Sequence, residues 1–286
     1  MTDIDIMIGS APPPARGGRM SQMPIRFQEM FLALFESLPR QGPGNRASTA
    51  RALGLCGDLP PSPAVVDLGS GVGAQTLHLA ELLPLASIVA VDRHAPSVER
   101  LQAALARRGL AQRVSAVVGD IACPPQASGQ VDLVWSEGAL YNIGLRNALR
   151  ICHDLLRPGG YLAFTDAVWR RGDPPAEVRA LFEADYPTMG TVADDLAVIR
   201  DCGFEVVGHF TLPDEAWWDD FYTPMEARIG ELRAQHAGDA EAQSMLDQLS
   251  EEPAMHRRHS DCYAYEFFIA RRRFPRSAAC ASAAVP

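Results

Sequence analysis

Val65-Val66-Asp67-Leu68-Gly69-Ser70-Gly71-Val72-Gly73-Ala74-Gln75 is the stretch on which the reading of this chain turns. Two β-branched residues lead into an acid, glycines follow at alternate positions, and Thr76 to Leu83 continues as a helix-like run. This is the pattern of a strand, a tight turn and a helix N-terminus. Glycines suit such a turn because they tolerate positive φ and let a ligand come close to the backbone. The helix N-terminus presents free N–H groups and a partial positive charge. Asp67 at the strand end disfavours a phosphate there and favours a cationic or hydroxylated ligand.

Gly69, Gly71 and Ala74 also satisfy the looser dinucleotide fingerprint G-x-G-x-x-A. The following segments bear on the choice. Ser87 to Asp92 reads as a second strand ending in an acid, about twenty residues beyond the glycines, where a ribose diol would be held. Val114 to Val118, followed by Gly119-Asp120, reads as a third. Either acid alone could simply form a turn; both together with the glycines favour a ligand.

On these residues the sequence resembles the class I S-adenosylmethionine-dependent methyltransferases. The resemblance rests on Asp67-x-Gly69-x-Gly71-x-Gly73, Asp92, Gly119-Asp120-Ile121 and Leu155-Leu156-Arg157-Pro158-Gly159-Gly160, and covers residues 45 to 210 or so. The segment from Trp135 to Gly144 is similar to a bacterial group of small-molecule methyltransferases. The resemblance implies that Gly69, Gly71 and Gly73, with Ser70 and Gln75 in the same loop, pack against the methionine and ribose portion of S-adenosylmethionine. It implies Asp67 for the amino group, Asp92 for the ribose hydroxyls, Arg93 beside the adenine, and Asp120 and Ile121 holding it. S-adenosyl-L-homocysteine would be the product.

Composition narrows the field. The 286 residues suit one large domain or one domain with appendages, and 47% hydrophobic content is ample for a core. All 26 basic residues are Arg, which rules out lysine Schiff bases and a P-loop lysine. A net charge of −9 argues against a nucleic-acid partner. The six cysteines are scattered without a C-x-x-C, as for buried thiols in a reducing compartment, and no metal is expected. No apolar run reaches the ~20 residues that span a membrane, and no signal peptide is evident. The expectation is a cytoplasmic protein, with a homodimer left open.

Along the chain, residues 1–20 are Pro/Gly-rich and read as a disordered leader, and 277–286 as a disordered tail. Between them a single methyltransferase domain is expected over 21–276. Residues 21–60 form N-terminal helices, in which Phe27, Met30, Phe31, Leu34, Phe35 and Leu38 make an apolar stripe and a candidate lid over the cofactor cleft. Gln41 to Arg46 reads as a turn; the resemblance implies that it lies near the methionine end of the cofactor, where Arg46 would meet a carboxylate, and a plain interhelix loop with a solvated Arg46 is the equal alternative. Residues 61–212 form the cofactor-binding core, whose alternating βα units imply a parallel sheet with helices on both faces. Residues 213–260 are a helical insertion, and 261–273 hold the last strand, which the resemblance places antiparallel between the fifth and sixth. The fold expected is α/β: a Rossmann-like, doubly wound, seven-stranded, mostly parallel sheet.

Methyl transfer from a sulfonium is an in-line displacement whose donor already carries the activating charge, so the protein must align the partners and exclude water. Glu137 follows the fourth strand, where acceptor meets methyl. With Tyr141 it is the candidate catalytic group, able to orient an amine, bind a cation, act as base or touch the cofactor; it could equally be a helix N-cap. Tyr141, Asn142, Trp217, Trp218 and Tyr222 are the candidate substrate residues. An amine nitrogen is the favoured acceptor, because aromatic faces and carboxylates attract cations. The alternatives are an O-, S- or C-methyltransferase with Glu137 as general base, an NAD-dependent oxidoreductase, and a non-catalytic binding module.

Overall fold

The computed structural model describes residues 24–183 and 186–274; the leader and the tail expected from the sequence lie outside the described residues. The strands are β1 (Ala64–Leu68), β2 (Ser87–Asp92), β3 (Val114–Val118), β4 (Val131–Glu137), β5 (Leu156–Trp169), β6 (Phe204–Thr211) and β7 (Tyr263–Arg272). They form one sheet in the order β3-β2-β1-β4-β5-β7-β6. All pairings are parallel except those of β7, which runs antiparallel between β5 and β6. The seven-stranded sheet with an antiparallel last strand is therefore as expected. Strand order reverses between β1 and β4, so a ligand crevice belongs at the carboxyl ends there.

Helices clothe both faces. They are α1 (Ile25–Phe35), α2 (Arg46–Gly54), α3 (Ala74–Leu82), α4 (Ala95–Arg107), α5 (Leu145–Leu155), α6 (Ala176–Glu183), α7 (Val192–Asp201), α8 (Glu215–Trp217), α9 (Thr223–Gln235) and α10 (Ala240–His259). Alternation along the strands sorts the core into two clusters. Val66, Leu68, Val134, Leu162 and Phe164 meet α5 and α7 on one face, while Val65, Leu133, Trp135 and Ala163 meet α1, α3, α4 and the insertion on the other. The apolar stripe of α1 buries Met30, Phe31, Leu34 and Phe35 in that second cluster, where the helix packs on α9 and α10. Gln41, in the segment after α1, reaches the glycine loop at Gly71. Among the described residues no helix is long and apolar enough to cross a membrane.

The first face also buries acids. Asp166 on β5 stands directly opposite Glu266 on β7, and Asp195 on α7 is 4% exposed with its Oδ2 lacking a hydrogen-bond partner among the described residues. Tyr186 donates its hydroxyl to Asp166 Oδ2 at 2.9 Å. Burial raises both Asp166 and Asp195 well above the ordinary carboxyl range, and the neighbouring Asp166 charge adds to the rise at Asp195. A folded-state pKa above the unfolded one means stability that is complete below about pH 4 and is lost as pH climbs through neutrality. Asp195→Asn should thus leave stability unchanged at pH 4 and raise it by about 1–2 kcal/mol at pH 8. Urea titrations at the two pH values check this, and a wild-type-like pH slope in the variant would contradict it.

Candidate functional site

The turn after β1 is tied to the end of β2. Gly69 and Ser70 donate their backbone N–H groups to Val91 O at 2.8 and 3.1 Å, and Gly71 N–H donates to Asp92 Oδ2 at 2.8 Å. Gly69 and Gly71 sit at φ +76° and +52°, which side chains rarely adopt. A Cβ at Gly69 would stand 2.3 Å from Ala139 Cβ, and one at Gly71 2.8 Å from Gln41 Oε1. The turn, hereafter the cradle, is thus packed so closely on Ala139 and Gln41 that neither position has room for a Cβ.

Asp67 is fully buried behind this cradle. It accepts from Thr76 Oγ1 at 2.5 Å and from Gln75 Nε2 at 3.4 Å, and burial pushes its carboxyl up to about 7. A cation in the cradle would favour the ionised form. Ser70 Oγ, also buried, lacks a partner among the described residues. Asp92 Oδ1 accepts from His94 N–H at 2.8 Å, so this carboxylate braces the loop while keeping lone pairs for further donors. Asp120 follows β3 beside it, exposed, accepting from Ala122 N–H at 2.8 Å. Ile121 is half-buried and Arg93 exposed.

Glu137, at the end of β4, is not a helix cap. Its Oε1 accepts from Trp135 Nε1 at 2.8 Å and Thr49 Oγ1 at 3.2 Å, and its Oε2 is paired with Arg40. The Arg40 and Glu137 side chains are 5% and 1% exposed. Arg40 also donates from Nε to Gly42 O at 2.8 Å and from Nη2 to Pro43 O at 3.2 Å, while its buried Nη1 has no partner among the described residues. Arg40 thus meets a buried carboxylate, whereas Arg46 pairs with Glu81 on the surface at 3.4 Å. The cradle, the buried Asp67 carboxyl, Asp92 and the open Arg40 Nη1 suit a ligand that carries an ammonium, a carboxylate and a diol, as S-adenosylmethionine does.

Beyond Glu137 lies a cavity on the side of the sheet covered by the insertion. Pro43, Trp217, Tyr222, Glu252, Tyr263 and Tyr265 line a narrow cleft, part of it continuous with solvent. It adjoins the strand end: a Cβ at Gly138 would stand 3.3 Å from Tyr265, and Gly44 N–H donates to Ala216 O at 2.8 Å, joining the Arg40 segment to the insertion. Trp217 and Tyr222 thus share one wall. Trp218 is not on this wall; the Arg257 guanidinium lies over its ring at 4.3 Å. Tyr141 packs against Tyr186, ring centroids 5.1 Å apart, and Asn142 Nδ2 donates to Ala139 O at 2.8 Å; neither lines the cavity.

Comparison with known proteins agrees with this geometry. Residues 65–160 match the family described as "Methyltransferase domain". A sarcosine/dimethylglycine N-methyltransferase of Halorhodospira halochloris is 27% identical over 165 residues, 57% of this chain and 59% of that protein. A dimethylglycine N-methyltransferase of Parasynechococcus marenigrum is 33% identical over 40% of this chain and 41% of its own length, so the chain spans roughly two to three fifths of these relatives. A probable cobalt-precorrin-6B C(15)-methyltransferase (decarboxylating) of Methanothermobacter thermautotrophicus is 31% identical over 57% of this chain and 73% of that one. In three dimensions, a methyltransferase from Geobacter sulfurreducens solved with S-adenosyl-L-homocysteine superposes with a TM-score of 0.72 at 19% identity, over 86% of this chain and 98% of that one. Sequence likeness, fold and cradle agree: the chain belongs to the S-adenosylmethionine-dependent methyltransferases of Rossmann-like fold.

Proposed function

We propose that the chain transfers a methyl group from S-adenosylmethionine to a small-molecule acceptor, with an amine nitrogen as the receiving atom. The observation that carries this reading is the glycine cradle, backed by Asp67 and braced by Asp92. When bound, the donor supplies an electrophilic methyl group on a positively charged sulfur. Gly69, Gly71 and Gly73, all at positive φ, let the chain turn tightly beside the donor's methionine and ribose portion, with Ser70 and Gln75 alongside. Asp67 faces the ammonium, Arg40 Nη1 takes the carboxylate, and Asp92 accepts from the ribose hydroxyls. Asp120, Ile121 and Arg93 border the adenine.

Glu137 serves in this reading as a positioning residue. Its oxygens are engaged by Arg40, Thr49 and Trp135, so it fixes the guanidinium rather than abstracting a proton. Tyr141 and Asn142 follow it in the short turn at Leu140–Ile143. The amine preference is supported by the aromatic lining of the adjacent cavity and by the names of the sarcosine and dimethylglycine N-methyltransferases that the chain resembles.

The test is binding of S-adenosyl-L-homocysteine against NAD by calorimetry, followed by methylation of a panel of amines, alcohols and thiols. Binding of NAD in place of S-adenosyl-L-homocysteine would overturn the methyltransferase reading. Methylation of an alcohol or thiol but no amine would overturn the nitrogen assignment. Asp92→Ala should weaken S-adenosyl-L-homocysteine binding by about 1.5–3 kcal/mol, through lost charge-assisted hydrogen bonds and release of Gly71 N–H. Unchanged affinity in that variant would remove Asp92 from the ribose site.

A further inference from the structure

Gln41 lies in the strap that joins α1 to α2, half-buried, with its side chain turned over the glycine loop. Its Nε2 donates to Phe35 O at 3.1 Å. A carbonyl can accept only from the NH2 end of an amide, so this bond fixes which way the group is turned. Oε1 is then the end presented to the loop, 2.8 Å from where a Cβ on Gly71 would stand. It accepts from no donor among the described residues. The missing side chain at Gly71 is what lets the amide come so close.

The strap also meets the loop after β2. Glu36 Oε1 stands 3.3 Å from His94 Nε2, and Arg100 of α4 donates to Glu36 O. Asp92 is held by two backbone donors, His94 N–H on Oδ1 and Gly71 N–H on Oδ2, each at 2.8 Å. The strap touches the residues that supply both: Glu36 meets His94, and Gln41 meets Gly71. The free Oε1 is thereby brought toward Asp92. Asp67, by contrast, is buried behind the loop and bonded to Gln75 and Thr76. A vicinal diol offers two O–H donors, and each Asp92 oxygen already accepts one backbone bond. A neutral amide oxygen nearby supplies a further acceptor without setting a second negative charge beside the first.

We propose that Gln41 is a further donor-binding residue, whose Oε1 accepts from a ribose hydroxyl of S-adenosylmethionine beside Asp92. This rests on the donor site described above and deepens it. The grip on the diol is then shared between the sheet, through Asp92, and the N-terminal strap, through Gln41.

The test is calorimetric titration of the full chain and of Gln41→Met with a series of ligands. S-adenosyl-L-homocysteine carries every group of the product, 5′-methylthioadenosine lacks the amino-acid end, and 5′-methylthio-2′,3′-dideoxyadenosine lacks the diol as well. Met keeps the length of the side chain and removes the amide. A neutral hydrogen bond is worth about fivefold in affinity. Gln41→Met should therefore bind the first two ligands about fivefold more weakly, and the dideoxy compound as the unaltered protein does. A loss confined to S-adenosyl-L-homocysteine would place Gln41 at the amino-acid end and overturn the ribose assignment. An equal loss with all the ligands would reduce Gln41 to a structural part of the strap, and unchanged affinities would remove it from the site. Gln41→Leu, read the same way, serves if Gln41→Met fails to fold. Absence of binding to the unaltered protein would overturn the donor site itself, a failure distinct from any shift read in the variants.

Discussion

Arg40→Ala is expected to destabilise the fold by about 3–4 kcal/mol, the cost of leaving one partner of a buried ion pair behind. The Glu137 carboxylate would keep its hydrogen bonds from Trp135 and Thr49 but lose its only charged partner among the described residues. The backbone would suffer too, because Arg40 also ties down Gly42 O and Pro43 O, and this segment carries Gln41 to the glycine cradle. Urea denaturation gives the loss directly. Adding Glu137→Gln to Arg40→Ala should recover about 1–2 kcal/mol, since the abandoned charge is then removed. A single Arg40→Ala with wild-type stability would show that the pair does not anchor the segment. The pair also decides how Glu137 is understood. Glu137→Gln should lower stability and cofactor affinity together, whatever the acceptor. A stable Glu137→Gln enzyme with intact cofactor binding and a collapsed kcat would restore Glu137 as a base.

The parts of this architecture that are local in sequence were legible there. The glycine turn announces itself because strand, turn and helix fall within a dozen or so residues, and the βα alternation follows from hydrophobic period alone. Asp92 could be placed because its distance from the glycines is set by one helix and one strand. Arg40 could not. Its partner lies 97 residues away, and nothing in Pro39-Arg40-Gln41-Gly42 separates a buried guanidinium from a solvated one. Arg46, six residues further on, pairs with Glu81 on the surface. The burial of Glu252 also leaves a signal in the sequence. Met245, Leu249, Glu252 and His256 recur at helical spacing on the buried side of α10, so Glu252 shares the phase of the apolar residues rather than that of Glu251. An acid in an apolar phase is a buried polar exception to the rule that charged residues stay at the surface. Trp218 shows the reverse: adjacent aromatics cannot all face one cavity, and the helical turn directs Trp217 inward and Trp218 toward Arg257.

Gly69→Ala should cost about 2–5 kcal/mol, and the two parts of that loss can be separated. One part is conformational. At φ +76° any Cβ strains the backbone, by roughly 1–2 kcal/mol. The other is contact: the new methyl would stand 2.3 Å from Ala139 Cβ, and overpacking of this kind costs about 1–3 kcal/mol. Ala139 lies in the loop between β4 and the short turn at Leu140–Ile143, at φ −126°, a conformation open to glycine or alanine alike. Ala139→Gly should therefore be mild by itself, yet in the Gly69→Ala background it should return the contact part and leave the conformational part. The coupling energy from the four proteins, measured by urea denaturation, is expected at about 1–3 kcal/mol. Strict additivity would mean that the two loops do not press on each other as described. The same four proteins address function, because the Gly69 methyl points at Ala139 rather than into open space. S-adenosyl-L-homocysteine affinity should then fall in Gly69→Ala by displacement of the loop and recover in the double variant. Affinity that stays low after stability has returned would place the lost room at the ligand itself.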